Sequence, residues 1–413
     1  MSAPVWPPLS APRATPLAAL ALALLAAGPG RALGQYAQTN LVSDVPGLAR
    51  TLDPQLVNPW GLSFSPTGPF WVSNAGTGTS TLYNTAGAKL ALVVTIPGPG
   101  GAVPSVPTGQ VFNNTGSFAL ANGSNATFIF AGATGTISAW NPAAGTTALL
   151  EVNGLSSGAS YTGLAIAGSG ANARLYAANF GNGRVDVFDG SFARVAAGGF
   201  ADPGVPAGYA PFNVQTVGGA LYVTYALKDP VTGRAVPGAG AGFVDVFDAG
   251  GTLQRRLASG GALDAPWGVA LAPAGFGSFG GSLLVGNFGN GLVNAFDVAT
   301  GALLGQLAGA GGAPLVNDGL WALAFGNGGQ GGDANTLYFT AGIGGEEHGL
   351  FGSITAVPEP APTGLVATGL LGLIHAADEA AADRAEAALR AAYPMGEAPP
   401  ERDPVIERVA ADG

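Results

Sequence analysis

Asn179-Phe-Gly-Asn-Gly183, followed one residue later by Val185-Asp-Val-Phe188-Asp189, matters most because the chain repeats it. The pentapeptide returns unchanged as Asn287-Phe-Gly-Asn-Gly291, and Asn74-Ala-Gly-Thr-Gly78 is a relative. The segment behind it returns as Thr79-Ser-Thr-Leu-Tyr83-Asn84, Ile137-Ser-Ala-Trp140-Asn141, Val244-Asp-Val-Phe247-Asp248 and Val293-Asn-Ala-Phe296-Asp297. Asn and Gly supply the left-handed conformations that hairpin turns need. Short strands and turns repeating at roughly fifty residues predict the blades of a propeller.

Working outward, each copy is preceded by two more strand-like runs. The first group begins at Asn58-Pro-Trp-Gly61, Pro107-Thr-Gly109, Tyr161-Thr-Gly163, Pro211-Phe-Asn213, Ala265-Pro-Trp-Gly268 and Gly319-Leu-Trp321. Four of these six carry glycine at one place (Gly61, Gly109, Gly163 and Gly268), as crowding of innermost strands about a channel requires. The second group, such as Phe70-Trp-Val-Ser73 and Thr336-Leu-Tyr-Phe-Thr340, is β-branched and aromatic, which suits strands buried on both faces. Six of each predict an all-β fold, a six-bladed β-propeller over residues 35–357. The sixth copy, Leu350-Phe-Gly-Ser-Ile-Thr355, has no outer strand after it. Tyr36–Ser43, near the start, is expected to fill that place and close the ring.

Composition narrows the function. Of 413 residues 69 are glycine, 10% are charged and none is cysteine; mean hydropathy is +0.34. Residues 35–357 hold nine Lys/Arg against fifteen Asp/Glu. Without a basic stripe a nucleic-acid partner is excluded, and without cysteine so are disulfides and thiolate metal sites.

Leu17–Ala27 is an eleven-residue apolar run that fits the core of a signal peptide over residues 1–34, so export to the periplasm, cell surface or medium is expected. Residues 375–413 hold nine of the 25 acids and read as an acidic, Ala-rich tail, helical or disordered.

Val357-Pro-Glu-Pro360 before an apolar run resembles the PEP-CTERM sorting signal of exported bacterial proteins. Asn40–Gly47, Val57-Asn-Pro-Trp-Gly61 and Ser63–Val72 resemble a family of exported, propeller-like proteins of the NHL/SMP-30 kind, some with that signal. The resemblance covers residues 36–357 and implies secretion and six blades, with no activity or site residues attached. The apolar run at Thr363–Ile374 has twelve residues, too few to cross ~30 Å of hydrocarbon, so anchoring is not expected.

Candidates for chemistry are few. Asn58, Asn74, Asn179, Asn213, Asn287, Asn317 and Asp318 fall at loops expected over a channel mouth, an arrangement similar to lactonase-type propellers with one divalent ion. Asp318, Asn179 and Asn287 are the metal candidates, for Ca²⁺ or another divalent cation, although such an ion wants several carboxylates. Glu346, Glu347 and His348, in one blade-six loop, are candidates for ligand binding or acid–base work. Phe180 and Phe288 offer ring surface to a ligand such as a sugar, or to the core. No phosphate loop occurs. A monomeric binding or scaffold module, with an extracellular ligand, protein or carbohydrate as partner, is the expected function; a metal-dependent hydrolase or lactonase is the alternative.

Overall fold

The computed structural model describes residues 35–101, 105–195 and 199–358, with residue 387 alone beyond them. The signal peptide expected at 1–34, the apolar run Thr363–Ile374, His375 and all of the tail but residue 387 lie outside the described residues. Among the described residues no helix is long and apolar enough to cross a membrane.

Six antiparallel sheets form the blades of an all-β propeller. From the inner strand outward, blade 1 is Pro59–Ser63, Phe70–Asn74, Thr79–Tyr83 and Lys89–Thr95. Blade 2 is Pro107–Phe112, Phe128–Gly132, Thr136–Trp140 and Leu149–Asn153. Blade 3 is Tyr161–Ala167, Arg174–Asn179, Arg184–Asp189 and Arg194–Val195. Blade 4 is Tyr209–Val217, Ala220–Lys228, Phe243–Phe247 and Leu253–Ser259. Blade 5 is Pro266–Leu271, Leu283–Asn287, Val293–Phe296 and Leu303–Gln306. Blade 6 has Leu320–Phe325, Leu337–Ala341 and Leu350–Ala356 from its own sequence.

Its fourth strand is Tyr36–Ser43, antiparallel to Leu350–Ala356 with Tyr36 opposite Ala356 and Ser43 opposite Leu350. The predicted closure is therefore present. Tyr36 adds a packing reason for it: its ring is buried against Phe276 and Phe279, and its hydroxyl donates to the Phe276 carbonyl at 3.1 Å. Ser43 Oγ donates to the Gly349 carbonyl at 2.7 Å.

Between blades, aromatics of the second and third strands close the core. Trp71, on the second strand of blade 1, stacks on Phe128, on the second strand of blade 2, with centroids 4.1 Å apart; Trp140, the third-strand aromatic of blade 2, lies 4.9 Å from Trp71 as the repeat predicted. Such pairs add about 0.5–1.5 kcal/mol each beyond the area they bury. At the inner strands the glycine requirement is steric. A Cβ on Gly61 would stand 2.4 Å from the Thr108 carbonyl oxygen, and one on Gly109 2.6 Å from the Leu164 nitrogen.

Candidate functional site: the upper channel mouth

All six inner strands slip register against their neighbours near the start. The breaks fall between Pro59 and Leu62, Pro107 and Gln110, Tyr161 and Gly163, Pro211 and Asn213, Pro266 and Gly268, and Leu320 and Leu323. A β-bulge re-aims the side chain it carries. Here the residues at the slip are Trp60, Thr108, Thr162, Phe212, Trp267 and Trp321.

The four rings converge across the ring of blades. Trp60 of blade 1 stacks on Trp321 of blade 6, centroids 3.5 Å apart and planes 19° from parallel. It meets Trp267 of blade 5 and Phe212 of blade 4 edge-on at 6.3 and 6.5 Å. Phe288, half-buried in a blade-five loop, stacks on Trp321 at 4.3 Å. The two threonines turn their hydroxyls onto the next inner strand instead: Thr108 Oγ1 donates to the Tyr161 carbonyl and Thr162 Oγ1 to the Phe212 carbonyl, both at 2.7 Å.

Asn58 pins this cluster from above. Its Oδ1 accepts from the indole nitrogens of Trp60 and Trp321 at 3.0 and 3.1 Å. With the oxygen so engaged, the amide nitrogen faces the other way and donates to Glu346 Oε2 at 2.9 Å. Both residues are strained. Asn58 has φ +46° and Glu346 φ +73°, left-handed conformations uncommon outside glycine. Gly342 leaves room for the arrangement, since a Cβ there would stand 2.3 Å from Asn58 Oδ1.

Arg234 arrives from blade 4. There the second strand runs on to Lys228 and folds back, Leu227 opposite Val236 and Lys228 opposite Ala235. Asp229 Oδ1 caps the turn by accepting from the Val231 and Thr232 amides, both at 2.8 Å, and those bonds hold its carboxyl below its ordinary value. Lys228 Nζ ties the arm to blade 3 through the Gly181 carbonyl at 2.7 Å. The arm carries Arg234 into an ion pair with Glu346 of blade 6.

Two cavities flank the aromatic cluster. The upper, about 460 Å³, is lined by Trp60, Phe288, Trp321, Thr162, Arg234 and Glu346 among others. The lower, about 260 Å³, is lined by the far halves of the inner strands and by Trp267. An apolar pocket with a few convergent polar groups is the usual form of a small-molecule site.

The other expected site residues lie elsewhere or apart. Asn179 is fully buried in blade 3; its Nδ2 donates to Asp186 Oδ2 at 2.7 Å and its Oδ1 accepts from the Ser160 and Asn182 amides. Asn287 is fully buried in blade 5, donating to the Ala262 carbonyl at 2.8 Å. Asp318 is exposed, with Oδ2 accepting from the Gly344 amide at 3.1 Å. The three sit in different blades with separate partners. Among the described residues no three His, Asp or Glu side chains stand together as a metal-ligand group. Asn74 donates to Thr81 Oγ1, Asn213 to the Trp267 carbonyl, and Asn317 pairs with Gln38.

Glu346, Glu347 and His348 do not converge either. Glu346 faces the pocket, Glu347 is exposed, and His348 Nδ1 lies 2.8 Å from Asp44 Oδ2 on another side of the loop. Phe180 is buried against Phe212. Sequence reasoning passed over Trp60, Phe212, Trp267, Trp321 and Arg234 as site residues. The signal available for the tryptophans was Pro-Trp-Gly at Pro59–Gly61 and again at Pro266–Gly268.

No family model matches the chain. It is 36% identical over 339 residues to the uncharacterized protein R648 of Acanthamoeba polyphaga mimivirus, covering 79% of this chain and 82% of that one. With the uncharacterized protein L690 of the same virus it shares 35% over 338 residues, 79% and 87% of the two chains. These relatives are viral, and neither bears on the bacterial sorting signal expected at Val357–Pro360. Among solved structures, a structural-genomics protein of unknown function from Bacteroides thetaiotaomicron aligns with TM-score 0.50 at 13% identity, over 78% of this chain and 77% of that one. A virginiamycin B lyase from Staphylococcus aureus aligns with TM-score 0.45 at 11% identity, over 78% and 99%. Likeness at these identities concerns the fold and says nothing of chemistry. The chain belongs to the family of the mimivirus proteins R648 and L690.

Proposed function

We propose that the protein is an exported binding module whose ligand site is the upper channel mouth, and that the ligand is a small molecule with a flat, largely apolar ring face. One observation carries the reading: four of the six register slips aim rings at the channel axis beneath a cavity of about 460 Å³. Rings held by packing and by indole hydrogen bonds are preorganised, so little ordering opposes binding. A sugar or aromatic ring laid on Phe288, the half-buried member of the cluster, fits such a surface.

The hydrolase or lactonase alternative draws less support. A hard divalent cation wants several oxygen ligands including carboxylates. Among the described residues lining the upper cavity, Glu346 is the one carboxylate, and Arg234 neutralises it.

The test is a calorimetric titration with flat-ring probes such as indole and p-nitrophenyl glucoside. Saturable changes in the wild type that vanish in Phe288→Ala, with the thermal midpoint little altered, are expected. Undiminished binding by that variant would remove the assignment. Export rests on residues 1–34 and is tested by comparing cell and medium fractions with and without them.

A further inference from the structure

We infer that the ligand of the upper mouth carries a positive charge, a guanidinium or an ammonium beside its ring face, and that Arg234 holds that place when the pocket is empty. This rests on reading the upper mouth as a ligand site, and it names the ligand class.

The two members of the ion pair are held very differently. Glu346 belongs to the frame: its side chain is 16% exposed, its backbone is left-handed, and Asn58 donates to one carboxylate oxygen. Asn58 cannot turn its amide around, because two indole N–H groups already occupy its oxygen. The carboxylate is thus built in and aimed. Arg234 is 67% exposed and sits at a hairpin tip beside Gly233, whose φ is +70°. Glu346 is its one side-chain partner among the described residues. A fixed carboxylate beside ring faces is the chemistry that selects an organic cation. The loose guanidinium opposite it reproduces such a ligand from within the chain.

An anionic ligand would face the reverse problem. To reach Arg234 it would have to approach the fixed Glu346, and like charges at close range repel. The surrounding propeller, with nine basic and fifteen acidic residues over 35–357, also attracts cations over distance. An internal competitor lowers the apparent affinity by the fraction of molecules in which it is seated. Removing it therefore tightens binding of the external cation.

The experiment uses three probes of nearly one shape: benzamidinium, neutral benzamide and anionic benzoate. Each is titrated by calorimetry into the wild type, Arg234→Ala and Glu346→Gln. Expected is benzamidinium binding about ten-fold tighter in Arg234→Ala than in the wild type, and its loss in Glu346→Gln while benzamide is unaffected. If benzamide and benzamidinium bind alike in all three proteins, the pocket stands and the charge preference is overturned. The preference is likewise overturned if benzoate binds best, or if Arg234→Ala weakens benzamidinium. If no probe binds the wild type or Arg234→Ala, the pocket reading itself fails and takes this one with it.

Discussion

The six positions aimed at the channel divide into two sectors, and the backbone is the same in both. Blades 4, 5, 6 and 1 place Phe212, Trp267, Trp321 and Trp60 there, whereas blades 2 and 3 place Thr108 and Thr162. The rings fill the axis and stack; the threonines hydrogen-bond sideways and leave space above them. The upper cavity opens over this small-residue side, lined there by Val106, Ala133, Ser160 and Thr162. The pocket exists because the sectors differ. A ring of six aromatics would have plugged it, and six threonines would have left a wet, unfloored channel.

The strongest way to break the contrast is Trp321→Ala. This residue is 1% exposed and touches Trp60, Phe288 and Phe212, so the change should cost about 3–5 kcal/mol in a denaturant-unfolding measurement. A loss near 1 kcal/mol would mean the aromatic sector is not the packed unit described. Asn58→Ala should follow at about 2–3 kcal/mol, since it orphans two buried indole N–H groups. Its tryptophan emission should shift to the red as water reaches those rings.

Asp245, outside both sectors in blade 4, supplies a control that neither should influence. Burial pushes its carboxyl up from 3.8 to about 6, although Arg256 Nε binds it at 3.0 Å. A carboxyl raised on folding favours the folded state most when protonated. Its stabilisation is complete below about pH 4 and lost as pH rises through about 6, a change of about 3 kcal/mol. Asp245→Asn should flatten that part of the stability curve equally with Trp321 or alanine at 321. Unequal flattening would show that the polar layer and the channel are coupled. The smallest effect belongs to the other sector. Thr162→Val keeps the shape and removes one hydrogen bond, so about 1 kcal/mol is expected at unchanged pocket volume.

Most of the architecture was legible in the sequence because it is local and repeated. Asn-Phe-Gly-Asn-Gly turns, third-strand aromatics and inner-strand glycines each announce a blade, and the missing outer strand of blade 6 announces the closure. The site was not legible, for two physical reasons. Simple alternation says nothing of where a strand bulges, and the bulges are what turn Trp60, Trp267 and Trp321 inward. The ion pair between Arg234 and Glu346 spans 112 residues and joins an arm of blade 4 to a loop of blade 6. No periodicity reports such a meeting. Asn179 and Asn287 misled in the opposite sense, for their turn context drew attention while their side chains serve the blade interior.

The pairing of Tyr36–Ser43 with Leu350–Ala356 also sets an order of events during synthesis. Blade 6 is drawn from segments on either side of the other five blades in the chain, so Tyr36–Ser43 leaves the ribosome before its partners and must wait for them. Five blades can stack while translation proceeds, but the circle is finished only after Ala356 has emerged. Until then the early strand keeps an unpaired edge, and premature termination anywhere before that residue yields an open ring rather than a smaller closed one.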